Sequence, residues 1–128
     1  MIDYLGVPIF KASVLFFIEE PVELIKQTLD SEANQGVLPV ELCEEFVRET
    51  KVADSYGVVN PGVHGNMLLC LNKWDEDHLV HETGHLTFQI LTRVGVPHTE
   101  DTDEVYQYVQ EFLFSNIKEL WLGSKKAK

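Results

Sequence analysis

Residues 75 to 97 constrain this chain more than any other stretch. Asp75 has the short carboxylate that caps a helix N-terminus, and Gly95 and Pro97 are residues that stop one. The pattern between them predicts a helix from about residue 76 to Val94. Within it His81 and His85 stand four residues apart, so both imidazoles fall on one helical face, one turn from each other.

The rest of the chain divides around that helix. Residues 7–18, rich in Val, Ile and Phe, predict one or two strands around Lys11. Glu20-Pro21 opens a helix with Val22, Ile25 and Leu29 on one face, and residues 30–36 have loop composition. A second helix is expected from Pro39, with Leu42, Phe46 and Val47 as its apolar stripe. Residues 56–72 predict a β-hairpin: Tyr56 to Val59, a turn at Asn60-Pro61-Gly62, then Met67 to Leu71. The last helix is expected over about 102–121, where Val105, Tyr108, Val109, Phe112, Leu113, Ile117 and Leu120 recur at helical spacing. This order is an α+β layout. The 128 residues, 45% of them hydrophobic, fit a single domain over 1–122. Lys125, Lys126 and Lys128 mark 123–128 as a basic, frayed tail.

Charge excludes several roles. With 21 acidic against 10 basic side chains the net charge is −11, which argues against a nucleic-acid partner, since phosphate contacts need clustered Lys and Arg. The run Val14 to Ile18 is too short to span a bilayer and lacks the flanks of a secretory signal, so a cytoplasmic protein without a membrane partner is expected. Cys43 and Cys70 form no C-x-x-C pair and are expected as buried, reduced thiols.

The chemistry sits at residues 81–85, His-Glu-Thr-Gly-His. Two imidazoles one turn apart can hold one ion, and zinc favours such nitrogen donors in tetrahedral sites. Glu82 can project toward the open metal position, take a proton from a metal-bound water and pass it to a leaving amine. Chance would place an H-E-x-x-H pattern in a chain of this composition about 0.02 times. A catalytic zinc usually has three protein ligands. The continuation that would supply a third His fails here, because Phe88 and Leu91 stand at its Gly and His positions. The candidates are therefore Glu100, Asp101, Asp103, Glu104 and Glu111, with His98 weaker. Glu104, near the start of the last helix, is preferred, although Asp101-x-x-Glu104 also matches a capping box.

His81-Glu82-Thr83-Gly84-His85, followed by the segment Asp103 to Leu113, resembles the gluzincin branch of the zincin metallopeptidases. The likeness is greatest to its small members, the minigluzincins and the ImmA/IrrE family, and short phage-encoded zincin-like proteins have the same general style. It covers about residues 67–117. The resemblance implies a compact zincin-like domain: a small, mostly antiparallel sheet, an H-E-x-x-H helix and a C-terminal glutamate helix. It implies one Zn²⁺ per chain held by His81, His85 and Glu104, with Glu82 as general base, and a peptide or protein as substrate or partner. It also implies that the Met67–Asn72 strand is the edge on which a peptide would lie. Larger gluzincins often carry an acid four residues after the ligand Glu; here that position is Tyr108, which leaves Asp103 or a backbone carbonyl to support a ligand His. His64, His98, Tyr106 and Tyr108 have the chemistry to stabilise an oxyanion, but none has decisive spacing. His78 is expected exposed in the first turn of its helix, and Trp74 as a hydrophobic staple. Two other readings stand beside the hydrolase: a catalytically inactive zinc-binding domain, its metal closed by His98 or His64, and a metal-free acidic protein that captures a basic partner.

Overall fold

The two most apolar stretches lie side by side in the middle of the sheet. In the computed structural model, which describes residues 1–60 and 66–126, β2 (Ala12–Ile18) runs parallel to β4 (Met67–Leu71), with Val14 opposite Met67. β1 (Ile2–Val7) flanks β2 and β3 (Ser55–Val59) flanks β4, both antiparallel, giving the order β1-β2-β4-β3. Two of the three pairings are antiparallel, as expected; the parallel central pair makes the sheet mixed.

Helices cover both faces. Val14, Phe16, Ile18, Met67, Leu69 and Leu71 pack with α3 (Glu76–Arg93) and α4 (Asp103–Lys126). Leu15, Phe17, Leu68 and Cys70 pack with α1 (Val22–Asn34) and α2 (Val40–Thr50). Strands buried on both sides need apolar residues at every position, which is why β2 and β4 read as continuous runs. Among the described residues the fold is thus α+β, with four α-helices around a small sheet.

Several boundaries differ from the sequence-based expectation. The strand region begins at Ile2, because β1 is an edge strand whose Asp3, Tyr4 and Gly6 interrupt the apolar pattern. A short 3-10 turn, Pro8–Phe10, then leads to Lys11, whose φ of 50° and ψ of 41° are left-handed. That conformation lets the chain reverse between β1 and β2, and a glycine accepts it without the Cβ penalty. Lys11→Gly is therefore expected to stabilise the fold by up to ~1 kcal/mol, read as a rise in the urea midpoint. Pro21 and Pro39 cap α1 and α2 rather than opening them. Helix α1 runs on through the predicted loop to Asn34, its last turn tied to β1 by the Tyr4 hydroxyl donating to Glu32.

At the other end, α4 continues through residues 123–126, which were expected to fray. Lys125 lies 4.2 Å from the centre of the Trp121 ring, and Trp121 stacks on Trp74 at 5.4 Å. Trp74 therefore joins the start of α3 to the end of α4 instead of acting only as a local staple. Cys43 and Cys70 are buried free thiols, as expected. The turn at Pro61 and Gly62 lies outside the described residues. Among those described, no helix is long and apolar enough to cross a membrane.

Candidate metal centre

Helix α3 is held at its start by Asp75, whose side chain accepts the backbone N–H groups of Asp77 and His78 at 2.8 and 3.1 Å. Its inner face is Leu79, Thr83, Leu86 and Ile90, all buried. Thr83 and Thr87 satisfy their hydroxyls on carbonyls within the helix, each at 2.7 Å, so polar residues can sit in the core. The opposite face carries His81 and His85, both exposed.

The two imidazoles meet. Their Nε2 atoms are 3.0 Å apart and their ring planes are 89° to each other. Two nitrogens on one tetrahedral zinc, each ~2.0–2.1 Å from it, would stand about 3.3 Å apart. The pair is thus within a few tenths of an ångström of a chelating geometry. The close approach otherwise takes one Nε2–H donor and one bare Nε2 acceptor.

Glu82 does not share that face. It is 6% exposed, turned toward β3, and its Oε2 accepts the Ser55 hydroxyl at 2.6 Å. Its Oε1 lies 3.4 Å from where a Cβ on Gly57 would stand. One residue on from His81 means about 100° around the helix, which carries this carboxylate under the sheet edge rather than out toward the histidines.

That edge is β3. The expectation that Met67–Asn72 forms it is corrected by the topology: β4 is paired on both sides. The Asn60 to Asn66 and Asn72 to Asp54 bonds fix the register, so Ser55, Gly57 and Val59 turn their backbone groups outward. Helix α3 covers much of this outward row. Val59 N–H donates to Gln89 Oε1 at 3.1 Å, and Gly57 is buried against Glu82 and Leu86.

The acids of α4 fall at different heights. Gln110 donates to the Val80 carbonyl at 3.0 Å and lies against Gly84, Tyr106 packs on Phe88, and Lys118 pairs with Glu76. The two helices are therefore antiparallel, with Gln107 and Glu111 level with the histidines. Glu111 and Gln107 help line a groove of about 300 Å³ beside Val80. Glu104 lies past Phe88, at least a turn from His85, and accepts the Tyr108 hydroxyl at 3.4 Å.

The remaining candidates are placed as follows. Asp103 pairs with His98 at 2.7 Å, and His98 stacks on Tyr106, whose hydroxyl donates to the Val96 carbonyl at 2.5 Å. These three brace the corner between α3 and α4. Glu100, Asp101 and Tyr108 are exposed, and His78 is half-buried rather than exposed. His64 lies outside the described residues. Among the described residues, no third His, Cys, Asp or Glu joins the imidazole pair in a group that could hold a metal. The contacts of Ser55 and Gln110 with α3 were not anticipated, because each is made by an element whose packing against α3 no local pattern records.

Comparison of the chain with family models, with curated proteins and with solved structures found no match.

Proposed function

We propose that this chain is a zinc-binding, metallopeptidase-like hydrolase whose metal is held by His81 and His85 and whose general base is Glu82. The observation that carries this reading is the 3.0 Å separation of two exposed Nε2 atoms, one turn apart on a capped helix. Zinc held there by His81 and His85 would supply an acidified water and polarise a carbonyl oxygen. As base, Glu82 would have to turn its carboxylate from the Ser55 hydroxyl, which its Oε2 accepts at 2.6 Å, toward a water on the histidines, and then deliver the proton to the leaving amine. A carboxylate from α4, Glu104 or its alternative Glu111, would complete the set. The substrate class is a peptide or protein segment.

One observation favours a second reading, in which zinc is bound without hydrolysis. The outward groups of β3 at Gly57 and Val59 are covered from α3, which narrows the room for a peptide to add as a further strand. Both readings need the metal, so that is tested first. Elemental analysis of the purified chain is expected to find bound zinc, and His81→Ala to lose it. Equal zinc content in the two proteins would overturn both readings.

A further inference from the structure

The α1–α2 side of the sheet carries a groove that the zinc reading does not use. Helices α1 and α2 are joined by residues 35–39 and run antiparallel, with the Cys43 thiol against the Leu29 carbonyl at 3.7 Å. Residues before Leu29 on α1 therefore lie beside residues after Cys43, and residues after Leu29 beside those before Cys43. The groove between the two helices holds about 360 Å³, a volume in the range of small-molecule sites. Its two ends differ. Ala33 and Val40 line the end near the connection, and Val40 is 52% exposed. Lys26, Arg48 and Lys51 line the other end. Three of the chain's ten Lys and Arg thus meet at one place on a chain of net charge −11. Asp30 and Glu44 stand between the ends, and Lys26 pairs with Asp30 at 2.8 Å. Three cations against two carboxylates leave one positive charge in the groove.

We propose that this groove binds a medium-chain aliphatic carboxylate, its head on Arg48 and Lys51 and its tail along Val47 toward Val40 and Ala33. The positive charge left over matches a singly charged carboxylate better than a dianionic phosphate. Arg48 offers the planar fork that takes a carboxylate through two parallel N–H···O bonds, Lys51 adds a point charge, and Lys26 stays with Asp30. The tail covers apolar surface that is otherwise exposed at Val40. The helix sets the length: Lys26 to Ala33 is seven residues, about 10 Å of rise, the reach of an extended chain of about eight carbons. The acidic chain repels free anions at long range, so head and tail must act together to hold the ligand. The groove lies across the sheet from α3, and binding there needs no metal.

The test is calorimetric titration of the full chain at about pH 8 with sodium octanoate, beside acetate as the head alone, 1-octanol as the tail alone and octyl phosphate as the dianionic head. The expected result is saturation at about one octanoate per chain, with octanol at least about 10-fold weaker and acetate not saturating. Arg48→Gln removes the fork and should weaken octanoate by about 10-fold or more. Val40→Asp sets a charge against the tail and should weaken it as much. Both positions are exposed, and the urea midpoint of each variant confirms that it folds. Backbone amide shifts on adding octanoate should centre on Ala33, Val40 and Val47. No saturation by octanoate, shifts centred elsewhere, or equal affinity in the wild type and Arg48→Gln would each overturn the site. Octyl phosphate binding more tightly than octanoate would overturn the carboxylate head.

Discussion

Glu82→Gln is expected to keep its zinc and lose hydrolysis. A general base contributes about 10²- to 10⁴-fold to rate, and glutamine has no lone pair basic enough to accept the proton of a bound water. The variant is otherwise close to silent. Glutamine has the same shape, its side-chain oxygen can accept the Ser55 hydroxyl in place of Oε2, and no charge remains to be buried beside β3. Stability should therefore stay within about 1 kcal/mol of the wild type or rise. Ser55→Ala is the counterpart that separates position from chemistry. It leaves a buried carboxylate oxygen without its donor, costing about 1–3 kcal/mol, while the base itself remains. Peptide turnover, zinc content and urea midpoint measured on both variants distinguish the roles. Unchanged turnover in Glu82→Gln would show that Glu82 does not take the proton. A wild-type chain that binds zinc and turns over no peptide would leave the non-catalytic reading.

What could be read from the sequence followed from local rules. Asp75, Gly95 and the i, i+4 histidines act within one helix, so α3 and the meeting of His81 with His85 were legible before any packing was known. The antiparallel pairing of β3 with β4 was legible for the same reason, from two apolar arms around turn residues. Which strand forms the edge was not. The parallel pairing of β2 with β4 joins segments 53 positions apart, as the bond from Ser13 to Asn66 illustrates, and no local pattern records it. The same limit governs the acids of α4. Its existence follows from periodicity, but its rotation and height against α3 are set by contacts such as Gln110 on Val80 and Gly84, which no local pattern records. Loop composition misled at residues 30–34 because polar residues also suit the exposed side of a helix whose other side, at Leu29, is buried.

Raising the pH from 8 toward 11 is expected to destabilise the fold, chiefly through the buried thiol of Cys70. The resolved shifts point one way. Burial in the α1–α2 side of the core, and after it the negative charge of Glu82, pushes the Cys70 thiol from 9.0 up to about 12. Burial also raises Cys43, ahead of nearby acids, and Tyr56, ahead of Glu45 and Glu49. Tyr4 is pushed up to about 12 by burial and its bond to Glu32, and Lys26 is raised by its bond to Asp30. In each case the folded chain holds a proton that the unfolded chain releases first. The stabilisation is thus complete below the unfolded pKa and is lost as pH rises toward the folded one. For Cys70 the window runs from about 9 to about 12, and at pH 11 the loss is about 2–3 kcal/mol. Urea midpoints across that range should fall steeply in the wild type and less steeply in Cys70→Ala, whose cavity cost is the same at every pH. The native thiol should also resist iodoacetamide at about pH 8.5 and react once urea opens the core. Parallel slopes for the two proteins above pH 9 would show that Cys70 does not carry this loss, and a flat wild-type profile would show that none of these groups does.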